Sequence, residues 1–213
     1  MNPSRSILAS FALLTSAFGA PDPGVLLAPG AEEAQWRPLI DALAAKGAVQ
    51  APFTERRFFP FRREPMVLKG VLRISPDRGL SLQYTDPEAS VLIADPSGLF
   101  LRTSDGRTRE LPSGSRETGA IASLLPIMRF DLAALYPRFA IRARRTGPDW
   151  VFEFTPHDSD VAGSLGTISV GGTGSDVRHL EFKRSSSQRI EIEVGETRTG
   201  VLFSPDEVKR FFH

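Results

Sequence analysis

Residues 68–101, LKGVLRISPDRGLSLQYTDPEASVLIADPSGLFL, decide the fold of this chain. Within LSLQY at 80–84, apolar and polar side chains alternate, which is the period of a β-strand with one buried face. The segments SPDRG at 75–79 and DPSG at 95–98 carry the residues that tight turns favour. The stretch therefore predicts consecutive antiparallel strands whose apolar side chains share one face.

The same alternation continues through the second half of the chain. Its apolar members are Phe139, Ile141, Trp150, Phe152, Phe154, Leu180, Phe182, Ile190, Ile192 and Val194. We expect about ten strands in all, and a sheet of that size with one apolar face must curl or be covered. The predicted fold is mainly β with a helical lid (α+β), a single curved antiparallel sheet forming an unclosed β-barrel or clamshell around a hydrophobic cavity.

Two segments have helical character. Apolar residues recur at helical spacing between about Glu32 and Lys46, and Gly47 is a natural stop for this helix. The segment from Glu117 to Tyr136 predicts two short helices hinged near Pro126, and it is more apolar than a surface loop. These helices are the available covers for the apolar face.

The N-terminus has the pattern of an export signal. A basic residue, Arg5, precedes an apolar run over 7–18 that is too short to span a bilayer and ends in small residues. We expect a signal peptide over 1–19, a flexible leader over 20–31 and one domain over 32–213. The expected location is the periplasm of a Gram-negative-type envelope.

Composition excludes several classes of protein. Lys and Arg number 26 against 25 Asp and Glu, which gives no electrostatic argument for a nucleic-acid partner. The chain has no cysteine, so disulfides, thiolate metal sites and a lipid-modified cysteine are excluded. We expect a soluble monomer without cofactor or metal.

The strand and turn residues of the first half resemble the LolA-like family of outer-membrane lipoprotein carriers. The matching positions are Phe53, Glu55, Gly70, Pro76, Tyr84, Pro87, Glu88 and Asp95. The resemblance is weaker over the rest of 49–205. It implies an unclosed barrel with a helical lid, whose cavity receives lipoprotein acyl chains from an inner-membrane transporter and delivers them to an outer-membrane acceptor. Members of the family carry an arginine before the proline of one turn, where this chain has Ser75.

The residues expected to face cargo come from the apolar sides of the strands and from the lid. They are Leu72, Ile74, Leu82, Tyr84, Ile93, Leu101, Leu124, Leu125, Met128, Phe152, Phe182 and Ile192. A cavity lined in this way suits the acyl chains of a lipoprotein or another lipid. Alternation alone is equally compatible with an ordinary filled core, so this alternative stays open.

A basic run, Arg56, Arg57, Arg62 and Arg63, is interleaved with phenylalanines. It predicts either a solvated hairpin or strand edge, or a docking surface or cavity rim that meets acidic partner residues or lipid head groups.

Residues for catalysis are not apparent in the sequence. The chain contains neither a Gly-x-Ser-x-Gly elbow nor a phosphate-binding glycine loop, and His157, with Asp158 and Asp160, is best interpreted as a solvated loop. We expect a protein that is not an enzyme. Two alternatives to a carrier remain: an envelope sensor or regulatory module of the same fold that binds a partner protein or lipid signal, and a lipid esterase.

Overall fold

The computed structural model describes residues 24–111 and 126–212, and these contain a single 13-stranded antiparallel sheet. The strands are β1 (Val25–Leu27), β2 (Val49–Phe58), β3 (Met66–Ser75), β4 (Gly79–Asp86), β5 (Ser90–Asp95), β6 (Gly98–Thr103), β7 (Thr108–Glu110), β8 (Phe139–Thr146), β9 (Asp149–Pro156), β10 (Thr167–Thr173), β11 (Asp176–Lys183), β12 (Arg189–Val194) and β13 (Arg198–Thr199). Their order is β1-β8-β9-β10-β11-β12-β2-β3-β4-β5-β6-β7, with β13 paired to β2. The edge strands β1 and β7 stand at opposite ends of this order, which confirms the predicted unclosed antiparallel sheet.

The pairing registers place the apolar residues of neighbouring strands on one concave face. Leu72 of β3 lies between Ala51 and Leu82, and Phe152 of β9 lies between Ala143 and Val170. Because side chains alternate along a strand, these registers bring the apolar members together across the whole sheet. The result is a continuous buried cluster on that face.

Helix α1 (Ala31–Ala44) covers part of the concave face and confirms the predicted helix to within two residues at each end. Its apolar stripe is buried there and consists of Trp36, Leu39, Ile40 and Leu43. The Trp36 ring meets Phe152 edge-on, with centroids 5.2 Å apart. This helix fills the space above the β8–β10 half of the sheet.

The second cover is the lid segment, defined here as residues 126–136. Residues 126–128 are helical, and α2 (Leu132–Leu135) follows, capped by the Asp131 carboxylate, which accepts a hydrogen bond from the Ala134 amide. Its apolar side chains are buried in the same cluster and include Ile127, Phe130, Leu132 and Leu135. The remainder of the predicted lid, 117–125, lies outside the described residues.

The predicted flexible leader over 20–31 requires a correction in its described part. Val25–Leu27 forms the edge strand β1, which pairs with β8, and Leu27 is buried opposite Ile141. The surrounding Pro and Gly residues obscured a strand too short to show alternation.

The C-terminal residues form a helix that the alternation did not predict. Helix α4 (Pro205–Phe211) begins with a capping box in which Ser204 and Glu207 bond each other's backbone amides. Phe211 and Phe212 pack on the convex face of the sheet, in a second apolar cluster. Arg102 fastens the end of the helix by donating to the Lys209 carbonyl at 2.8 Å. A further short helix, α3 (Ser159–Leu165), links β9 to β10.

Gly70 tests how tightly β2, β3 and β4 are packed. A Cβ at this position would lie 2.0 Å from the Gln83 carbonyl oxygen and 2.8 Å from Cε1 of Phe53. Gly70→Ala is therefore expected to lower the free energy of unfolding by about 2 kcal/mol in urea denaturation. The matched control is Gly163→Ala in α3, where a Cβ meets nothing within 4 Å, and this change should be neutral or slightly stabilising. Equal effects of the two substitutions would contradict the packing described.

Candidate functional site

A cavity of about 290 Å³ lies on the concave face, where the end of α1 meets the lid segment and the ends of β2, β3 and β12. Its lining residues are Leu43, Ala44, Lys46, Gly47, Val49, Leu72, Ile74, Pro76, Met128, Arg129, Phe130, Val177, Val194 and Thr197. The lining is mostly apolar, with two cationic side chains. Such a site can accommodate an apolar chain but offers few groups for orienting a polar molecule.

Local geometry explains why these residues converge. Gly47 adopts a φ of 65°, a conformation that favours glycine, and turns the chain from α1 into β2. Val49, the first residue of β2, then lies opposite Ile74 of β3. The helix end and two strand ends therefore meet at one corner of the sheet.

The lid segment is fastened at the mouth of this cavity. Nη2 of Arg129 donates to the Pro76 carbonyl oxygen at 2.6 Å, joining the lid to the β3–β4 turn. Next to it, Phe130 has a φ of 52°, unusual for a bulky residue, and its buried ring meets Trp150 and Phe152 edge-on. Here the lid supplies an arginine and the turn supplies a carbonyl, next to Ser75.

A second contact joins the lid segment to α1. The Tyr136 hydroxyl donates to Oε2 of Glu33 at 2.8 Å, and Glu33 also pairs with Arg37 one turn along the helix. Burial raises the pKa of Tyr136, although the nearby Arg37 acts in the opposite direction. One side-chain hydrogen bond thus joins the lid to the β3–β4 turn and another joins it to α1, in addition to its buried apolar side chains.

The cations at the cavity have different environments. Lys46 is largely buried and pairs with Asp176, and this hydrogen bond holds the pKa of the Asp176 carboxyl below its usual range. Arg129 is exposed and bonds a neutral carbonyl. The mouth of the cavity therefore retains a positive charge that a negatively charged head group can approach.

A polar network lies on the concave face further along β2 and is formed by Glu55 and Arg57 with Tyr84 of β4. Glu55 is 2% exposed, accepts from the Tyr84 hydroxyl at 2.8 Å and pairs with Arg57. Burial disfavours the charged form of Arg57, but the Glu55 carboxylate outweighs this effect and the pKa of Arg57 is raised. Burial and the same carboxylate raise the pKa of Tyr84. The network was missed by sequence reasoning, although Glu55 shares the inward register of Phe53.

Three of the residues expected to face cargo line the cavity: Leu72, Ile74 and Met128. Others lie on the same face but within the apolar cluster, outside the cavity lining, namely Leu82, Tyr84, Leu101, Phe152, Phe182 and Ile192. The reason is that α1 and the aromatic rings around Phe152 occupy most of the space above the sheet. Leu124 and Leu125 lie outside the described residues.

Ile93 was placed on the wrong face. It is fully buried, but it belongs to the convex cluster with Phe100, Phe211 and Phe212. In β5 every residue from 91 to 94 is apolar, so alternation does not distinguish the two faces. Leu92 points to the concave side instead.

The four arginines of the basic run do not share one surface. Arg56 lies on the convex side of β2 and donates to Glu193 at 2.7 Å, whereas Arg57 points to the concave side. Arg62 and Arg63 are exposed in the β2–β3 connection. Because neighbours in a strand face opposite ways, the expectation of a single docking patch is wrong for the first two.

No group of three potential metal ligands occurs within 24–111 and 126–212. Asp158 caps α3 by accepting from the amides of Asp160 and Val161, and His157 Nε2 lies 3.2 Å from the Tyr136 carbonyl oxygen. The polar cluster at 157–160 thus has structural contacts.

No protein-family model matches the sequence, and no curated protein matches it. Solved structures do. The chain resembles proteins of the LolA superfamily. One, from Nitrosomonas europaea, is 9% identical with a TM-score of 0.44, over 81% of this chain and 96% of that chain. A lipoprotein-sorting protein domain from Vibrio parahaemolyticus is 11% identical with a TM-score of 0.45. The match covers 84% of this chain and 95% of that chain.

A chain of the Pseudomonas aeruginosa MucA/MucB complex is also similar, at 16% identity and a TM-score of 0.42, over 84% of this chain and 60% of that one. Among the helices of the described ranges, none has the length and apolarity needed to cross a membrane.

Tyr84→Phe tests the buried network. Removal of the hydroxyl takes a hydrogen bond from a buried carboxylate, so we expect the free energy of unfolding to fall by about 1–2 kcal/mol. In a Glu55→Leu background the same change should cost less than about 0.5 kcal/mol, because the acceptor is already absent. Urea denaturation of the four proteins measures both values. A cost that is the same in both backgrounds would contradict the hydrogen bond.

Arg129→Gln tests the fastening of the lid. The loss of one exposed hydrogen bond should change the global free energy of unfolding by less than about 1 kcal/mol. Amide hydrogen exchange should nevertheless become faster for the backbone of 127–130, since local opening no longer breaks that bond. Arg107→Gln, at an exposed arginine of the β6–β7 turn, is the control. Unchanged exchange in Arg129→Gln would show that the contact does not hold the lid.

Proposed function

We propose that this protein is an exported periplasmic carrier that buries an acyl chain of a lipoprotein or another lipid in the cavity between α1, the lid segment and the sheet. Binding and release use movement of the lid segment and no covalent chemistry. An inner-membrane transporter or exporter would load the carrier, and an outer-membrane acceptor would receive the cargo. The apolar cavity beside the lid segment, where Arg129 bonds the β3–β4 turn, is the observation that carries the proposal.

The size of the cavity limits the cargo that the closed form accommodates. A cavity of roughly 150 Å³ holds benzene, so the 290 Å³ found here has room for roughly a dozen carbon atoms. Each buried methylene contributes about 0.8 kcal/mol, which makes one chain of this length a substantial source of affinity. A longer chain or a second chain requires the lid segment to move.

The export signal supports the periplasmic assignment. The charged N-terminus and apolar run of 1–19 are the features that the secretion machinery recognises. A carrier of apolar chains is also useful in that compartment, because acyl chains do not cross water unassisted.

The first experiment is native mass spectrometry of the protein purified from periplasm without detergent, followed by organic extraction. A co-purifying acylated species is expected and would identify the class of cargo. A ligand-free mass, together with no binding of any fatty-acid probe, would contradict the carrier. That result would favour the alternative, an envelope sensor or regulatory module that binds a partner protein or a lipid signal.

Titration with saturated fatty acids of increasing length tests the size limit. Affinity should rise about fourfold for each added methylene until the chain reaches roughly a dozen carbons. Beyond that length the gain should level off, unless the lid segment opens. Affinity that does not depend on chain length would exclude burial of the chain in this cavity.

Met128→Glu places a carboxylate in the cavity wall at a half-buried position of the lid segment. Because a charge in the wall is unfavourable to an apolar chain, probe affinity should fall at least tenfold, while the free energy of unfolding changes by less than about 1 kcal/mol. Leu26→Glu is the control, since Leu26 is half exposed on the edge strand β1 and is absent from the lining. Parallel losses of binding and stability would show that Met128 belongs to the core.

A further inference from the structure

The connection between β2 and β3 forms a hairpin tip, defined here as residues 58–66, with unusual exposure of aromatic surface. Phe61 is 82% exposed, and its ring stacks on Phe59 with centroids 5.4 Å apart. The Arg62 amide donates to the Phe59 carbonyl at 3.1 Å, closing a turn that holds the two rings side by side. The Phe61 ring, held in place by the half-buried Phe59, is thus an ordered and exposed apolar surface.

The tip carries two cations, Arg62 and Arg63, against one exposed anion, Glu64, so its net charge is positive. Arg62 and Arg63 are exposed, and neither forms an ion pair with another residue of the described ranges. Arg56 and Arg57, by contrast, are paired with Glu193 and Glu55. The unpaired cations of the basic run therefore lie at the tip, beside the rings.

The tip is well supported by the sheet. The Arg189 guanidinium lies 3.6 Å from the centroid of the Phe58 ring, and Met66, at the other end of the connection, pairs with Arg57 across the hairpin. Ladder hydrogen bonds thus continue to the base of the tip. The rings and the arginines lie in the connection 59–65, which is held at both ends by these paired strands.

The tip and the cavity lie at opposite ends of β2. The strand begins at Val49, which lines the cavity, and ends at Phe58. Its 10 residues span roughly 30 Å, given about 3.3 Å per residue. Contact with a surface at the tip consequently leaves the mouth of the cavity free.

We propose that the hairpin tip is a docking element for anionic phospholipid bilayers. Phe59 and Phe61 enter the interfacial layer, where aromatic rings are favoured, and Arg62 and Arg63 bond lipid phosphates. A small convex tip suits a deformable bilayer better than a protein partner, since a stable protein interface buries about 800 Å² on each side with matched shapes.

Vesicle flotation tests this inference. The wild-type protein should float with vesicles of equal parts phosphatidylglycerol and phosphatidylcholine, more weakly with pure phosphatidylcholine, and less as salt is raised. Phe61→Ser should weaken binding roughly tenfold, because the exposed ring is the main apolar contribution. Arg62→Gln and Arg63→Gln should each weaken binding about fivefold to the anionic vesicles only.

Matched controls occur elsewhere on the surface. Leu202 is 94% exposed, and the Arg107 side chain is 88% exposed, so Leu202→Ser and Arg107→Gln make the same kinds of change away from the tip. Both should bind vesicles as the wild type does. An equal loss of vesicle binding in Leu202→Ser and Phe61→Ser would overturn the proposal. Failure of the wild-type protein to float with anionic vesicles would also overturn it.

The tip and the carrier function are separable. Tip variants should bind a fatty-acid probe with unchanged affinity, and Met128→Glu should float with vesicles as the wild type does. Vesicle binding without probe binding would leave docking established and contradict the carrier. A photo-crosslinker can also be placed at position 61. If it captures an envelope protein and the chain does not bind vesicles, the proposal of a bilayer as the docking partner is wrong and a protein partner is favoured.

Discussion

The apolar concave face of the sheet is the constraint on which the rest of the structure depends. Its strands contribute buried side chains from Leu27 in β1 to Leu99 in β6, and no sheet of this kind is stable with that face in water. An unclosed sheet does not bury the face by pairing its edges. The fold therefore requires helix α1 and the lid segment to cover this face, whatever function they also serve.

The two covers bury different side chains, and the cavity lies where they meet. Helix α1 inserts a stripe of large side chains headed by Trp36, whereas the lid segment combines buried anchors such as Phe130 with single polar contacts at Arg129 and Tyr136. Large rings fill the β8–β10 side. The corner beside Val49, lined mostly by aliphatic side chains, remains open.

Much of the fold could be predicted because alternation reports directly which side of a strand is buried. That information fails where consecutive strand residues are all apolar, as at 91–94 around Ile93, and where a strand is too short, as in β1. Helix α4 had a readable signal, Ser204-Pro205-Asp206-Glu207, because a proline at the first turn and a capping box mark a helix start. The cavity could not be located, since its position depends on how completely α1 fills the face. Leu72 and Phe152 both occupy apolar positions of alternating strands. Leu72 lines the cavity, whereas Phe152 is covered by Trp36, and this difference in packing is not visible in the sequence.

The polar network on β2 shows how one strand divides the concave face. Val49, Ala51 and Phe53 point inward and are apolar, and the next inward residues are Glu55 and Arg57. A buried carboxylate is tolerable only when paired, and Arg57 and the Tyr84 hydroxyl provide that pairing. An apolar chain entering from the Val49 end would meet this charged pair after roughly 20 Å of strand, since inward positions follow every two residues. The network therefore ends the apolar lining on β2 and separates the cavity from the hairpin tip.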